Sequence, residues 1–254
     1  MMQAASPEPA MLRVSDLAKS YGAIKAVRGV SFDVAPGEIF GVIGPNGSGK
    51  TTMFNSVLGQ IRPDGGEIEF AGRDVTGASP LTLNRMGVGR TFQTLQVFGK
   101  MSVRDNLLVA AQEHQGTMLS RMFMPGDSGL GGKADELIDL LRLKHVADKP
   151  AGSLSYGQQK LVDIAMAFMS DPKLVLLDEP CAGVNPSLVG ELAALLKRLN
   201  QASQASFVVV EHNMDFIMDL CHRILVMVEG EAMAIGTPAE IRANRQVLEA
   251  YLGY

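Results

Sequence analysis

The chain is poor in cysteine, tryptophan and long apolar runs. Its 254 residues include no tryptophan and two cysteines, Cys181 and Cys221, which form no C-x-x-C pair and are typical of reduced thiols in a cytosolic protein. No uncharged apolar run approaches the ~18 residues of a membrane-spanning helix, and residues 1–10 lack the basic start and apolar core of a secretory signal. We therefore expect a globular protein with a loose tail at residues 1–10.

The chain also has no excess of positively charged residues. The chain has 23 lysine and arginine residues against 27 aspartate and glutamate residues, a net charge of −4 at pH 7. This balance argues against a nucleic-acid-binding groove, although a local pocket can still bind an anion. We expect no nucleic-acid partner.

A phosphate-binding pattern is present at residues 44–52, which fit G-x-x-x-x-G-K-[ST]. The apolar run at residues 39–43 predicts a buried strand before it, and the apolar spacing over residues 52–61 predicts a helix after it. Glycines let backbone N–H groups turn toward an anion, Lys50 can reach the β- and γ-phosphates, and the Thr51 hydroxyl can bind Mg²⁺. The predicted nucleotide-binding residues are Gly44, Pro45, Asn46, Gly47, Ser48, Gly49, Lys50, Thr51 and Thr52.

Strand-like and helical segments alternate along the chain, which predicts an α/β fold with a largely parallel sheet. Helical patterns dominate residues 94–165, which we interpret as an insertion into a sheet-based core at residues 11–93 and 166–254. Residues 114–132 contain five glycines and a proline, which predicts an irregular connection ending in a loop at residues 129–132.

Two acids follow a second apolar strand. Residues 174–177 are apolar and lead directly into Asp178 and Glu179. Because sheets of this kind bind ligands at the carboxyl ends of their strands, Asp178 is suited to hold Mg²⁺ and Glu179 to polarise the water that attacks the γ-phosphate. Two solvated acids at a strand end are the alternative, and the phosphate loop upstream favours the catalytic interpretation.

A second possible anion site lies at residues 154–159, which open a predicted helix. Ser155 as N-cap and Gly157 beside it offer a hydroxyl and free backbone amides. One phosphate loop does not need another anion site so distant in sequence. We therefore expect this site to face the nucleotide of another subunit.

Together these motifs resemble the ATP-binding subunits of ABC transporters, over residues 11–254. Residues 154–158 are similar to the signature motif Leu-Ser-Gly-Gly-Gln of that family, with Tyr156 at the third position, and the match adds Gln158 to the expected nucleotide contacts. The resemblance implies an ABC-type P-loop NTPase: a mixed β-sheet core, an N-terminal antiparallel β subdomain and an inserted α-helical subdomain. It also implies ATP hydrolysis supported by Mg²⁺.

The resemblance assigns three further site residues. Tyr21 matches the aromatic residue that stacks on adenine, Gln93 the glutamine that contacts Mg²⁺ and the attacking water, and His212 the switch histidine that contacts the γ-phosphate. Residues 182–185 match the D-loop, with Asn185 in place of the usual aspartate. The expected catalytic residues are Glu179, His212 and Gln93, and the expected metal ligands are Thr51, Gln93 and Asp178.

A finer resemblance, at residues 90–107, 155–160, 182–186 and 250–253, indicates the branched-chain amino acid importer branch. Importers of urea and short amides share much of this pattern, and an exporter ATPase is a further alternative. The implied partners are membrane-spanning permease subunits, a second ABC ATPase (identical or paralogous) and, indirectly, a periplasmic binding protein. The implied location is peripheral, on the cytoplasmic face of the inner membrane.

Two other classes of protein fit the sequence less well. Soluble ABC ATPases that act on nucleic acid or ribosomes usually carry tandem ATPase units, coiled coils or basic arms, and the sequence shows none of these. A P-loop kinase would leave residues 154–159 without a role.

Overall fold

The computed structural model describes residues 10–91, 95–112 and 129–252. These residues fall into two compact units. The first contains the described parts of Met1–Leu83 and Ser206–Tyr254, and the second those of Asn84–Ala205. Of the predicted tail, residues 1–10, only Ala10 is among the described residues.

The first unit begins with an antiparallel sheet. Its strands are β1 (Leu12–Tyr21), β2 (Ile24–Val34), β4 (Gly65–Phe70) and β5 (Arg73–Asp74), in the order β2-β1-β4-β5. Gly22, at φ +60°, makes the tight turn between β1 and β2, a backbone conformation that favours glycine. The predicted N-terminal antiparallel sheet is confirmed.

A second, mixed sheet forms the core of the first unit. Its strands there are β3 (Ile39–Ile43), β8 (Ser206–Val210), β9 (Arg223–Val228) and β10 (Glu231–Gly236), in the order β10-β9-β3-β8. β3 runs parallel to both β8 and β9, while β10 is antiparallel to β9. Every residue of β3 and β8 is buried, as expected for strands covered on both faces. The carboxyl ends of β3 and β8 therefore lie at the same edge.

The first unit also contains helices. They are α1 (Lys50–Val57), α7 (Met214–Leu220), α8 (Pro238–Ala243) and α9 (Arg245–Leu252), while α2 (Pro80–Met86) spans the boundary between the units along the chain. The helix predicted at residues 52–61 ends earlier, at Val57. Gly59 adopts φ +69°, and a Cβ added there would lie 2.0 Å from the Ala78 carbonyl oxygen, so the chain turns instead of continuing the helix.

Over its described residues, the second unit combines a parallel strand pair with four helices. β6 (Val88–Arg90) pairs with β7 (Leu174–Asp178), and the helices are α3 (Val103–Gln112), α4 (Leu130–Leu140), α5 (Tyr156–Phe168) and α6 (Val189–Ser203). Short 3₁₀ helices lie at Lys144–Val146, Ala151–Ser153 and Pro186–Leu188. The predicted limits of the helical insertion, residues 94–165, fall inside this unit and stay a prediction.

The loop predicted at residues 129–132 is wrong beyond Gly129, because α4 begins at Leu130. Gly129 takes φ +77° as the residue before the helix, and buried Ala134, Leu137 and Ile138 hold the helix in the core. The apolar spacing after residue 132 outweighs the weak helix propensity of the glycines. Residues 113–128, where the rest of the irregular connection is predicted, lie outside the described residues.

The amphipathic helix α6 shows how the sequence pattern sets the packing of the second unit. Asn185 starts the segment, since its Oδ1 accepts a hydrogen bond from the Ser187 backbone N–H at 3.0 Å. A 3₁₀ turn then leads into α6, whose apolar side is buried. The buried leucines are Leu192, Leu195, Leu196 and Leu199. Burial stabilises the fold by about 1.5–3 kcal/mol per leucine.

Among the helices of the described ranges, none is both long enough and apolar enough to cross a membrane.

Candidate functional site

The loop after β3 is shaped by two glycines that no other residue can replace without rearrangement. A Cβ added at Gly44 would lie 2.1 Å from the Met227 carbonyl oxygen, and one added at Gly49 would lie 2.2 Å from the Ala26 carbonyl oxygen. Gly49 also adopts φ +93°. Both positions press directly against neighbouring backbone, so the loop keeps one shape, with its backbone close to that of β9 and β2.

The side chain of Lys50 folds back onto the backbone of the same loop. Its Nζ donates hydrogen bonds to the carbonyl oxygens of Gly44 (2.8 Å) and Pro45 (3.0 Å). Lys50 begins α1, whose N-cap Gly49 supplies no side-chain cap and whose first turn holds no acidic residue. The loop therefore combines an ammonium group, a helix N-terminus without a competing carboxylate and glycine-lined backbone, which together suit a phosphate group.

His212 leaves the sheet at the same edge as the phosphate loop. Val42 of β3 pairs with Val210 of β8, so the segments that follow the two strands start side by side. The His212 side chain is 64% exposed, and its Nδ1 lies 3.6 Å from Oε2 of Glu211. An exposed imidazole at this edge is placed to contact a ligand bound by the loop.

Glu211 holds the His212 segment in place and was missed by the sequence reasoning. Its buried carboxylate Oε2 accepts hydrogen bonds from the backbone N–H groups of His212 (2.8 Å) and Asn213 (3.1 Å). Asn213 in turn caps α7 by accepting from the Phe216 N–H at 3.1 Å. The sequence did contain a signal for this role, because Glu211 stands directly between the apolar strand β8 and the polar residues His212 and Asn213. Such a buried carboxylate needs hydrogen-bond donors, and the following backbone supplies them.

Tyr21 ends β1 beside the turn at Gly22. Its side chain is 49% exposed, and the Lys19 Nζ lies 5.8 Å from the ring centroid. Tyr21 pairs with Ile24 at the start of β2, two residues before Ala26, whose carbonyl oxygen faces Gly49. An exposed aromatic ring near the phosphate loop suits stacking on a base.

In the second unit, Asp178 and Glu179 follow the buried strand β7, as predicted. Leu174 to Leu177 are fully buried, and both acids are half-buried. Glu179 adopts φ +45°, a left-handed conformation that costs a residue other than glycine about 1–2 kcal/mol. Strain of this kind concentrates at functional sites.

Arg90 is a second residue that the sequence reasoning missed. It ends β6, which runs parallel to β7, and its register partner is Leu176, two residues before Asp178. Burial lowers the pKa of the Arg90 guanidinium below its ordinary value, and the negative charge of Asp178 opposes that shift. Arg90 therefore places a half-buried positive charge close to Asp178.

Ser155, Gly157 and Gln158 occupy the N-terminus of α5. The Ser155 Oγ accepts from the Gln158 N–H at 3.4 Å, and the Gln158 Oε1 accepts from the Ser155 N–H at 3.1 Å, which makes a reciprocal capping box. The Gln158 Nε2 lies 3.4 Å from Nε2 of His145. Ser155 is the N-cap, as predicted. The expected role of these residues toward a second subunit stays a prediction.

Comparison with known proteins places this geometry in a family. A family model described as "ABC transporter" matches residues 27–182. The chain belongs to the ABC transporter family. A second model, "Branched-chain amino acid ATP-binding cassette transporter", matches residues 233–254 of this ABC ATPase. The predicted family and the predicted ABC-type α/β fold are confirmed, and the chain is an ATP-hydrolysing transporter subunit.

The similar proteins cover almost the whole ABC ATPase. The branched-chain amino acid transport ATP-binding protein BraF of Pseudomonas aeruginosa is 36% identical over 249 residues, which are 96% of this chain and 98% of that protein. LivG of Archaeoglobus fulgidus, described as a probable branched-chain amino acid transport ATP-binding protein, is 38% identical over 246 residues, which are 96% of this chain and 95% of that protein.

Two solved ABC cassettes have the same fold. The crystal structure of a nucleotide-free ATP-binding cassette from an ABC transporter superposes with a TM-score of 0.83 at 34% identity, covering 96% of this chain and 100% of that one. A cassette in its ADP conformation superposes with a TM-score of 0.85 at 34% identity, covering 96% and 99%. The chain therefore has the nucleotide-binding fold of these cassettes.

The predicted site residues of this ABC ATPase are divided between the two units. Tyr21, residues 44–52 and His212 lie in the first unit, where the phosphate loop and His212 share one sheet edge. The second unit holds Asp178 and Glu179 after β7, and Ser155, Gly157 and Gln158 at the start of α5. Gln93 lies outside the described residues.

Proposed function

We propose that this chain is the ATP-hydrolysing subunit of an importer for branched-chain or related amino acids. The match of its last residues, 233–254, to a model of branched-chain amino acid cassettes supports this assignment. The similar BraF and LivG proteins are described as branched-chain amino acid transport ATP-binding proteins. The observation that carries the ATPase part is the phosphate loop, where Gly44 and Gly49 leave no space for a side chain.

ATP is held, in this proposal, by Tyr21 and residues 44–52. The exposed Tyr21 ring stacks on the adenine, and the backbone N–H groups between Gly44 and Thr52 surround the phosphates. Lys50 exchanges its contacts with the Gly44 and Pro45 carbonyl oxygens for phosphate oxygens. The loop fits a phosphate group because Gly44 and Gly49 admit backbone at two points where a Cβ would collide.

Three residues are proposed to hold Mg²⁺: Thr51, Asp178 and Gln93. Thr51 is exposed on the first turn of α1 and Asp178 ends β7, so hydroxyl and carboxylate oxygens, the ligand types that Mg²⁺ prefers, are available at both positions. Mg²⁺ held by these residues would supply positive charge that offsets the negative charge of the phosphates. Glu179 polarises the attacking water, and the exposed His212 contacts the γ-phosphate.

The proposed assembly is a head-to-tail pair of ABC ATPases bound to permease subunits. Ser155, Gly157 and Gln158 face the nucleotide held by the second ATPase, which is either the same chain or a paralogue. The pair docks on membrane-spanning permeases at the cytoplasmic face of the inner membrane, and a periplasmic binding protein delivers the solute. Closure of the pair around ATP drives the permeases, and hydrolysis resets them.

The experiment is ATP turnover by Glu179→Gln. This variant keeps the shape of the side chain but removes the base, so we expect it to bind ATP, to hydrolyse it at least ~100-fold more slowly than wild type and to accumulate as an ATP-bound dimer. Light scattering with and without ATP measures the dimer. Turnover at the wild-type rate would remove Glu179 from the role of base.

Glu229→Gln is the matched control for that experiment. Glu229 directly follows the buried strand β9, adopts φ +50° and is exposed, so it repeats the strand-end position and backbone conformation of Glu179. We expect Glu229→Gln to turn over ATP at the wild-type rate.

Uptake of radiolabelled leucine or urea by the assembled transporter then distinguishes an amino acid importer from an importer of short amides.

A further inference from the structure

The ring of Tyr156 lies directly on the backbone of Gly183. Gly183 adopts φ +74°, and a Cβ added there would lie 2.7, 3.0 and 3.1 Å from Cε1, Cδ1 and Cζ of Tyr156. Real Cβ atoms essentially never approach another atom as closely as the first of these distances, and the other two are tighter than most real contacts. The ring therefore occupies the space that a side chain would need, and position 183 can pack under it only as glycine.

Gly183 is tied to Glu179 by two overlapping turns. The Ala182 N–H donates to the Glu179 carbonyl oxygen at 3.0 Å, and the Val184 N–H donates to the Cys181 carbonyl oxygen at 3.0 Å. Glu179 itself is in a left-handed conformation at φ +45°. Because hydrogen bonds span the whole of this segment, a displacement of Gly183 is transmitted to the backbone that carries the Glu179 carboxylate.

On the Tyr156 side, the contact is adjacent to Ser155. Tyr156 is the first residue of α5 and directly follows Ser155, whose capping box with Gln158 fixes the start of the helix. Next along α5, Gly157 faces Val184, since a Cβ added at Gly157 would lie 3.9 Å from Cγ1 of Val184. The start of α5 and residues 183–184 thus meet along two successive positions.

We propose that Tyr156 is a positioning residue that couples the two nucleotide sites of the ATPase pair. Ser155 responds to the nucleotide held by the second subunit, and the Tyr156 ring transmits its position through Gly183 to Glu179, which acts on the nucleotide of its own subunit. This inference rests on the proposed function of Ser155 and Glu179. It explains why a large ring, 42% exposed, replaces the glycine at the third position of the signature motif.

The first test separates catalysis from ATP binding. Tyr156→Ala removes the ring but keeps a good helix former in the first turn of α5. In the ATPase complex we expect kcat to fall by on the order of ten- to a hundred-fold, as for a small misplacement of a catalytic group, while the Kd for ATP stays within about three-fold. The Hill coefficient for ATP should fall toward one. Tyr156→Phe keeps the ring and should restore both kcat and the Hill coefficient.

A double-mutant cycle tests the contact itself. Gly183→Ala places a methyl group against the Tyr156 ring, and in the Tyr156→Ala background that collision is absent, while the strain at φ +74° acts in both backgrounds. The loss of kcat caused by Gly183→Ala should therefore be several-fold smaller in the Tyr156→Ala background. Thermal unfolding of each variant shows whether the fold is intact.

Three results would overturn the proposal. The first is a wild-type kcat and Hill coefficient for Tyr156→Ala, and the second is a Tyr156→Phe variant as slow as Tyr156→Ala. The third is a double variant whose loss of kcat is the product of the losses caused by Tyr156→Ala and Gly183→Ala alone. Each can occur while wild type hydrolyses ATP and Glu179→Gln does not, which separates failure of the coupling from failure of the proposed function. If wild type itself hydrolyses no ATP, both proposals fall together.

Discussion

Replacement of Gly49 by alanine tests how the phosphate loop is held. The added methyl group would lie 2.2 Å from the Ala26 carbonyl oxygen, and the backbone at φ +93° is unfavourable for any L-residue. The backbone strain costs about 1–2 kcal/mol, and forced repacking against a rigid strand costs about 1–3 kcal/mol more. Gly49→Ala should therefore lower the free energy of unfolding by about 2–5 kcal/mol.

Gly47→Ala is the matched comparison within the same loop. Gly47 adopts a similar conformation, φ +81°, but a Cβ added there meets no atom within 4 Å. This variant carries the backbone strain alone, so we expect a loss of about 1–2 kcal/mol. The difference between the two variants isolates the collision with Ala26, at about 1–3 kcal/mol.

Urea unfolding of both variants measures these free energies, and a fluorescent ATP analogue measures binding. For a chain of this size, a loss of 1 kcal/mol lowers the Tm by about 2–4 °C, so a thermal scan resolves the difference. Gly49→Ala should also weaken ATP binding at least ~10-fold, because the loop must move away from β2. Equal free energies of unfolding for the two variants would refute the steric argument.

Three further predictions concern residues around the site. Glu211→Ala removes the acceptor for the His212 and Asn213 N–H groups, so in urea unfolding it should destabilise the protein by about 2–4 kcal/mol, and its kcat should fall. Tyr21→Ala should raise the ATP Kd about ten-fold or more through lost stacking, while Tyr21→Phe keeps the Kd and both keep the wild-type Tm. The hydrogen bond from the Lys19 ammonium lowers the pKa of Asp64 in the folded state. The ionised Asp64 therefore stabilises the folded state above about pH 4, the ordinary pKa of an aspartate. This stabilisation is lost as the pH falls through the lower pKa of the folded state. Stability measured across pH 2–6 should therefore vary less in Asp64→Asn than in wild type.

Much of the fold could be predicted because local patterns agreed with one another. The run at residues 39–43 is apolar throughout and becomes the buried strand β3, and Asn185 followed by Pro186 starts the segment that leads into α6. α8 had a signal that the sequence reasoning did not use: Thr237 and Glu240 form a capping box around Pro238. Where several local cues agree, the element is predictable.

Other features depend on tertiary contacts that no local pattern encodes. Gly59 ends α1 because the Ala78 carbonyl oxygen is close, and these two residues are far apart in sequence. The glycines at 131 and 132 enter α4 because the residues that follow them are buried. In the site, the burial of Glu211 and the placement of Arg90 near Asp178 arise from strand pairing, which sequence spacing alone does not reveal.

The central claim is that each nucleotide site combines the phosphate loop of one ATPase with Ser155 to Gln158 of another. With the chain as its own partner, Lys50→Ala inactivates the first half of the site and Ser155→Arg the second. In a mixed dimer one site carries both defects and the other is intact. We predict that two separately inactive variants regain measurable ATPase activity when mixed in equal amounts. The upper limit is about a quarter of the wild-type rate, because half of the dimers are mixed and each has one working site, and the coupling proposed above lowers the rate of that site further. A mixture as inactive as its components would contradict the claim.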